Sequence, residues 1–427
     1  MRIPLLALLA AGIVPLAVQA DPVHNLRDIA VRALQQDPRT AAAVADLDSS
    51  YAGKELARAG YRPSVEIAAS AGQARYDATH MFHPDRDPSA VGLRVDQPIH
   101  DFGRTSSAVA AAGAQIDAAR AENDAVAIDV IRDAVTAALQ LDYAHHVLDT
   151  VTQNARVLAE RLSYTRARFE SGDFTKTDVA QAEARYASAQ SQTQSARAQL
   201  AQAQAALQQL LGDAIDVDLA DVPDPATPGS LAAALAAVAQ HPQMQAATAA
   251  LSSAERNVDT AHAQLRPRVD LVGEVGRDDD TRFSVEATDY WTASLQVSVP
   301  LYDRGVARAS ISRAEAAVRR QQAQIQTVQR NLEQHVRSEW AAFEASHSEL
   351  SAAREQRVAA GVALEGMQAE VDSGLRTVVD LLDAQQDVLD ASLAVLDASY
   401  REAGSAIRLL ASTGALHLHT LGEEGEP

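Results

Sequence analysis

Residues 370–390, EVDSGLRTVVDLLDAQQDVLD, predict the place where a long helix turns back on itself. Gly374 interrupts a helical pattern of apolar residues, as a residue that permits a tight turn would do. Asp380 and Asp383 follow three positions apart, so their carboxylates lie on one face at the beginning of the returning helix. The segment therefore predicts a helical hairpin with two acidic side chains near its tip.

A near copy of this segment, SGDFTKTDVAQAEAR, occupies residues 171–185, which is 202 residues earlier. The residues that correspond at this offset include Gly172 with Gly374, Thr175 with Thr377, and Asp178 with Asp380. Among the positions that differ, Phe174 stands in place of Arg376 and Gln181 in place of Asp383. The two turns are alike in build and different in charge, as a gate made from one duplicated hairpin would need.

The composition favours long, closely packed helices and argues against several functions. Of the 427 residues 47% are hydrophobic but only 4% are aromatic, and alanine, the best helix former, is abundant. A formal charge of −20 argues against nucleic acid as a partner, because binding to phosphates requires clustered Lys and Arg. The chain contains no cysteine and no HExxH, GxSxG, GxGxxG or Walker motif, so we predict neither an enzyme nor a cofactor. The histidines His145, His146, His417 and His419 lack a supporting ligand set, so no metal site is predicted.

The N-terminal residues 1–20 predict export from the cytoplasm. Arg2 is followed by an apolar run and by Val18-Gln19-Ala20, a pattern typical of a cleaved signal peptide. No later stretch approaches the ~18 apolar residues of a spanning helix. If the mature chain enters a membrane, it does so as strands.

The mature chain repeats one order of elements. Residues 36–72 align with 240–276, and further on DQPIHDFGR aligns with SVPLYDRGV. Each copy begins with a helix, at roughly 40–60 and roughly 243–265, which ends before a proline. A β-hairpin follows in each copy, because apolar and polar residues alternate on both sides of an Asp-rich loop. The apolar positions are Val65, Ile67, Ala69, Val91, Leu93 and Val95 in the first copy, and Val269, Leu271, Val275, Trp291, Leu295, Val297 and Val299 in the second.

Very long helices follow the hairpins. The runs from Gly103 to Ser171 and from Gly305 to Ser373 each span 68 residues without a proline. At ~1.5 Å per residue, each helix would be about 100 Å long. The predicted division is a signal peptide (1–20), a first repeat (21–211), a linker (212–230), a second repeat (231–412) and a C-terminal tail (413–427), disordered from His417 onward.

Four strands in one chain predict an assembly of several chains. They cannot close a barrel, and open sheet edges find no hydrogen-bond partners in lipid. Two chains would give eight strands and a filled interior, whereas three would give twelve strands and room for a lumen. The residues alone leave this choice open.

The chain resembles the TolC-like trimeric outer-membrane channels of Gram-negative export systems. The resemblance covers nearly the whole mature chain and is carried by the duplicated order of elements, by GLRTVVDLLDAQQDVLDA and by SGDFTKTDVAQAEAR. It implies a mainly α protein with β structure: a trimeric 12-stranded outer-membrane β-barrel, four strands per chain, continued by a long periplasmic α-helical barrel. It also implies a passive exit duct for type I protein secretion or multidrug efflux. The motif TKTDV at 175–179 resembles the tips of secretion channels and favours the former.

The resemblance assigns roles to residues at the two turns. Asp380 and Asp383 map onto an acidic ring that constricts the tunnel, where like-charge repulsion would raise some carboxyl pKa values. Arg376 maps onto a latch that contacts Asp178 and Thr177 of the neighbouring hairpin and holds the channel closed. A tyrosine of the family latch falls at Val371, which has no hydroxyl, so that arm of the latch is absent.

The tips themselves map onto the surface where an adaptor protein docks. The docking residues are Gly172, Asp173, Phe174, Gly374 and Leu375. Asp173 stands where an apolar residue is common in the family, so the adaptor can differ. The implied partners are two further copies of the chain, a periplasmic adaptor, an ABC or proton-driven inner-membrane pump, and outer-membrane lipid. An alternative of another class is a periplasmic coiled-coil scaffold without a pore, which would have no use for strands with apolar faces.

Overall fold

The computed structural model describes residues 25–75, 86–213, 215, 217, 219, 225–280, 286–373 and 375–421. The predicted signal peptide, most of both β-hairpin loops and the turn residue Gly374 lie outside these residues. The described chain is mainly helical, and its strands form a single antiparallel sheet.

Each half of the chain contributes two short helices, a β-hairpin and two long helices, which confirms the predicted duplication. The first half contains α1 (Leu26–Gln36), α2 (Pro38–Arg58), β1 (Ser64–Ala71), β2 (Ser89–His100), α3 (Arg104–Glu170) and α4 (Lys176–Leu211). The second half contains α5 (Leu231–Ala237), α6 (Pro242–Ala263), β3 (Arg268–Asp279), β4 (Thr288–Ser298), α7 (Val306–Asp372) and α8 (Val378–Ser412). The sequence patterns above do not predict α1 and α5.

The short helices α2 and α6 begin slightly earlier than predicted. Pro38 and Pro242 are their first residues, because a proline needs no N–H partner in the first turn of a helix. The residue before each proline caps the helix: Asp37 accepts from the Arg39 N–H at 2.8 Å, and the His241 ring accepts from the Gln243 N–H at 3.2 Å. Proline therefore begins these helices.

The long helices α3 and α7 contain 67 residues each, as the proline-free runs predict. Both begin at the same kind of turn, with a glycine at positive φ: Gly103 at 101° and Gly305 at 83°. Asp101 accepts hydrogen bonds from the backbone N–H groups of Gly103 and Thr105, at 3.2 and 2.7 Å. Asp303 does the same in the second copy, so one entry turn starts both helices.

The sheet has the strand order β1-β2-β3-β4, so the two predicted hairpins join through β2 and β3. The pairing register places the predicted apolar residues on one face; for example, Ile67 lies beside Leu93, and Leu93 lies beside Val275. This face is open, with Ile67 73% and Trp291 78% exposed. The opposite face is polar, and Arg94 on it donates to Asp96 at 2.8 Å and to Glu274 at 2.5 Å. Trp291 is thus not a packing residue within one chain.

The largest core lies where α1, α3, α4 and α8 meet, and it includes the segment between the two halves. Its fully buried side chains include Ile29, Leu141, Leu211, Val217 and Ile407. On α8, Leu382, Leu389 and Tyr400 are buried. The predicted linker is therefore partly core, because Val217 and Leu219 belong to this cluster.

The C-terminal tail departs from its prediction. Disorder was expected from His417, but Leu418–Leu421 form a 3-10 helix, and Leu418 and Leu421 pack against the main core. Leu416 just before them is fully buried. The expectation of disorder is therefore wrong up to Leu421, because alternate leucines give this short segment an apolar face.

Candidate functional site: the two helical tips

The two turns share one backbone arrangement, as their sequences predict. In the first turn the Asp173 N–H donates to the Arg168 carbonyl at 2.9 Å, and in the second the Leu375 N–H donates to the Glu370 carbonyl at 2.9 Å. Gly172 has a φ of 88°, so an L-residue there would be strained. The equivalent Gly374 lies outside the described residues.

Identical capping boxes start the returning helices α4 and α8. The Thr175 N–H and hydroxyl both donate to Asp178 Oδ2 at 2.8 Å. Thr377 donates to Asp380 Oδ2 in the same way, at 3.0 Å from the N–H and 2.7 Å from the hydroxyl. Each box satisfies donors that a helix N-terminus otherwise leaves unpaired. Asp178 and Asp380 therefore have a structural role in addition to any functional one.

The capping box of α8 also favours the ionised form of Asp380. Hydrogen bonds from the hydroxyl and the N–H of Thr377 lower the pKa of this carboxyl below its ordinary value of 3.8, with a smaller contribution from Arg376. Within one chain the direction is thus opposite to the rise expected from repulsion among neighbouring carboxylates. Asp380 is a stable anion near neutral pH.

The predicted latch residues do not meet within one chain. Arg376 donates from Nε to Glu370 Oε2 of its own hairpin at 3.0 Å. Asp178 uses Oδ2 in its capping box, and Oδ1 has no donor among the described side chains. Thr177 is exposed in the first turn of α4. A contact of Arg376 with Asp178 and Thr177 therefore stays a prediction for two different chains.

The first tip is closed by a network of its own. Arg168 donates to Asp173 at 2.8 Å and to the Tyr164 hydroxyl at 3.0 Å, and the Ser171 hydroxyl donates to the same Asp173 oxygen at 3.1 Å. The Phe174 ring contacts the Tyr164 ring edge-on, with 6.1 Å between centroids. Asp173 is therefore held by a neighbouring cation, while Leu375 at the second tip is exposed.

The two hairpins of one chain are joined just above the tips by contacts that sequence reasoning missed. Arg185 of α4 forms an ion pair with Asp383 of α8. Leu158 of α3, Ala189 of α4 and Leu382 of α8 form a buried apolar cluster beside it. No local sequence pattern predicts this ion pair, because 198 positions separate its two residues. The available signal was the presence of opposite charges shortly after the two equivalent caps.

The described residues hold no group of three or more His, Cys, Asp or Glu side chains able to bind a metal ion. Among the described residues, no helix is both apolar and long enough to span a bilayer. The site is thus a set of paired and unpaired charges at the ends of two long hairpins. Such a set can attract or repel ions, and its ion pairs can open and close.

A sheet with one open apolar face, continued by two helices about 100 Å long, is the architecture of a class of outer-membrane channel proteins. The chain belongs to the family described as outer membrane efflux protein, whose model matches residues 29–213 and 235–415. An outer-membrane location follows from this membership.

Relatives and solved structures agree with the family. BepC of Brucella suis biovar 1 (strain 1330), an outer membrane efflux protein, is 29% identical over 396 residues, which cover 88% of this chain and 84% of BepC. AprF of Pseudomonas aeruginosa, an alkaline protease secretion protein, is 25% identical over 373 residues, which cover 83% of this chain and 77% of AprF. A crystal structure of CusC has a TM-score of 0.80 at 18% identity and covers 91% of this chain and 92% of its own. By their names, BepC is an outer-membrane efflux protein and AprF is a secretion protein, and the CusC structures concern the formation of a transmembrane channel.

Proposed function

We propose that the chain forms a trimeric exit duct of a tripartite export system. The strands of three chains close a 12-stranded barrel in the outer membrane, and the long helices continue it as a tunnel across the periplasm. An adaptor protein docks at the tips and opens the tunnel, and an inner-membrane pump supplies the energy.

The open sheet carries this proposal. Within the described chain β1 and β4 each pair on one side only, so the sheet has two free edges. Its apolar face is exposed, and burying free edges and apolar side chains together in lipid requires further chains. Three copies give a lumen, whereas two would fill their interior with side chains. A coiled-coil scaffold without a pore explains neither the edges nor the apolar face.

The tips are the proposed docking and closing elements. Leu375 is exposed and offers an apolar contact for the adaptor at the second tip, and Gly172, Asp173 and Phe174 are the proposed contact residues of the first tip. Asp380 and Asp383 of the three chains together form the acidic ring. Arg376 of one chain contacts Asp178 and Thr177 of a neighbouring chain and so acts as the latch. The cargo class is protein or drug, and the TKTDV motif favours protein secretion.

The direct test is the conductance of the purified, detergent-solubilised protein in a planar bilayer, beside the Arg376→Ala variant. We expect a small cation-selective conductance that rises severalfold in the variant, because the interchain latch is lost. If the protein inserts but neither form conducts, the duct proposal fails and the scaffold takes its place.

Two matched variants separate the latch from the pair that Arg376 forms in its own chain. Glu370→Gln removes only the intrachain partner and should leave the conductance unchanged. Asp178→Asn removes the latch carboxylate but keeps an oxygen for the capping box, and it should raise the conductance as Arg376→Ala does. An increase with Glu370→Gln alone would place closure in the intrachain pair.

The pH dependence follows from the lowered pKa of Asp380. The Thr377 bonds stabilise the ionised form, so their contribution to stability is complete above the ordinary value of 3.8 and is lost as the pH falls through the lower folded pKa. The cation selectivity should therefore persist when bilayer recordings are moved from about pH 7 to pH 5. A loss of selectivity in that interval would mean that repulsion between chains outweighs the Thr377 bonds.

A further inference from the structure

The contact between Arg185 and Asp383 is more than a surface ion pair. Among the described side chains it is the one ion pair that joins the hairpin of α3 and α4 to the hairpin of α7 and α8. Its acidic partner is one of the two carboxylates of the proposed ring. Asp380, three residues earlier, has no such cation within hydrogen-bonding distance and is bonded to Thr377 instead.

The pair contributes little to stability. The side chains of Arg185 and Asp383 are 42% and 54% exposed, and ion pairs this exposed add little to the free energy of unfolding. The buried cluster of Leu158, Ala189 and Leu382 already holds the two hairpins together at this level. The main effect of Arg185 is therefore electrostatic, because it places a positive charge beside the acidic ring.

The neighbouring helices fix where this charge lies. Leu382, next to Asp383, is buried in the apolar cluster, and Tyr186, next to Arg185, packs against the same cluster. Both residues of the pair are thus attached to positions that cannot move independently while α4 and α8 stay in contact. Separation of the two helices would break the pair and leave Asp383 without its cation.

We propose that Arg185 sets the charge of the gate by neutralising Asp383 while the hairpins are in contact. This inference rests on the proposed function, since it assumes the acidic ring. In a closed trimer the ring then carries the charge of three Asp380 carboxylates instead of six carboxylates. Opening the tips separates Asp383 from Arg185 and makes the channel more attractive to cations as it widens.

The test is block of the purified channel by a trivalent cation, hexaamminecobalt(III), in planar bilayers. Arg185→Gln should lower the concentration for half-block on the order of tenfold, because uncompensated carboxylates then face the ion. The single-channel conductance should change little, since the apolar cluster still joins the hairpins. Arg185→Lys, which keeps the cation, should behave as the unmodified protein does.

A matched control is available in the same hairpin. Arg166 of α3 pairs with Glu183 of α4 at 2.7 Å with similar exposure, and Glu183 is not a residue of the ring. Arg166→Gln removes one exposed arginine per chain and should leave the half-block concentration unchanged. An equal effect of Arg166→Gln and Arg185→Gln would overturn the inference, because general surface charge would then explain both.

Two further variants distinguish failure of this inference from failure of the ring. If Asp380→Asn weakens block while Arg185→Gln has no effect, the ring stands and Arg185 does not compensate it. If neither variant changes block, the constriction lies elsewhere and both proposals fall. Arg185→Gln combined with Asp383→Asn removes both charges of the pair and should restore the half-block concentration of the unmodified protein, whereas Asp383→Asn alone, which leaves the cation, should weaken block. A double variant that blocks like Arg185→Gln alone would contradict a role through Asp383.

Discussion

Replacing Asp142 with alanine should lower the free energy of unfolding by about 2–5 kcal/mol, although the side chain is far from the tips. Asp142 is 1% exposed in the middle of α3. Its Oδ1 accepts from the Leu219 N–H at 3.1 Å, and its Oδ2 accepts from the Tyr400 hydroxyl. Alanine would take the acceptor from the buried Leu219 N–H and the carboxylate acceptor from the Tyr400 hydroxyl, and the loss of a buried hydrogen-bond partner costs about 1–3 kcal/mol for each group.

The expected result is a clearly lower melting temperature in detergent, followed by circular dichroism. Asp149→Ala is the matched control, because Asp149 is an exposed aspartate in the same helix, and its effect should stay within about 0.5 kcal/mol. Tyr400→Phe removes the hydroxyl that donates to Asp142 Oδ2 and should cost about 1–3 kcal/mol. Equal melting temperatures for the Asp142→Ala and Asp149→Ala variants would mean that the Asp142 carboxylate does not attach the segment around Leu219 to α3 and α8.

The combined variant Asp380→Asn with Asp383→Asn should produce the largest functional change. We expect the channel to lose most of its cation selectivity and the half-block concentration of hexaamminecobalt(III) to rise on the order of a hundredfold, because all ring carboxylates are removed. Asparagine is the replacement of choice, since its oxygen can still accept from Thr377 and keep the helix start intact.

The single variants make this test sharper. If Arg185 neutralises Asp383, Asp380→Asn alone should account for most of the effect in the closed channel. Asp387→Asn is a control on the same helix, because Asp387 is exposed and forms no ion pair among the described side chains. Unchanged cation selectivity in the combined variant would show that Asp380 and Asp383 do not form an acidic ring in the channel.

The structural features that the sequence predicted correctly are those that depend on residues close together in the chain. The proline-free runs define α3 and α7, and the correspondence of Gly172 with Gly374 and of Thr175 with Thr377 predicts two turns of one build. The alternation in the hairpins places Ile67 and Trp291 on the exposed face. In each case the physical cause acts within a few residues, so periodicity and caps are sufficient evidence.

The features that escaped prediction depend on contacts between distant segments. Asp142 and Tyr400 are 258 positions apart, and Arg185 and Asp383 are 198 apart. The alternation of Val217 and Leu219 in the linker has meaning only once the core beneath it exists. The partner of Arg376 likewise depends on which chains are present, so Glu370 was not anticipated.

The equal lengths of α3 and α7 restrict how this protein can change. Losing one residue from either helix would shorten it by about 1.5 Å and rotate everything beyond the deletion by about 100°. The rotation is the greater problem, because it would turn the caps and charges at one tip away from those at the other. The length of the β-hairpins, at the opposite end of the long helices, can vary. The prolines that flank the hairpins are 35 residues apart in one copy and 33 in the other. Insertions and deletions should therefore accumulate in the hairpin loops, while a viable change in helix length has to occur in both helices at once and in whole turns.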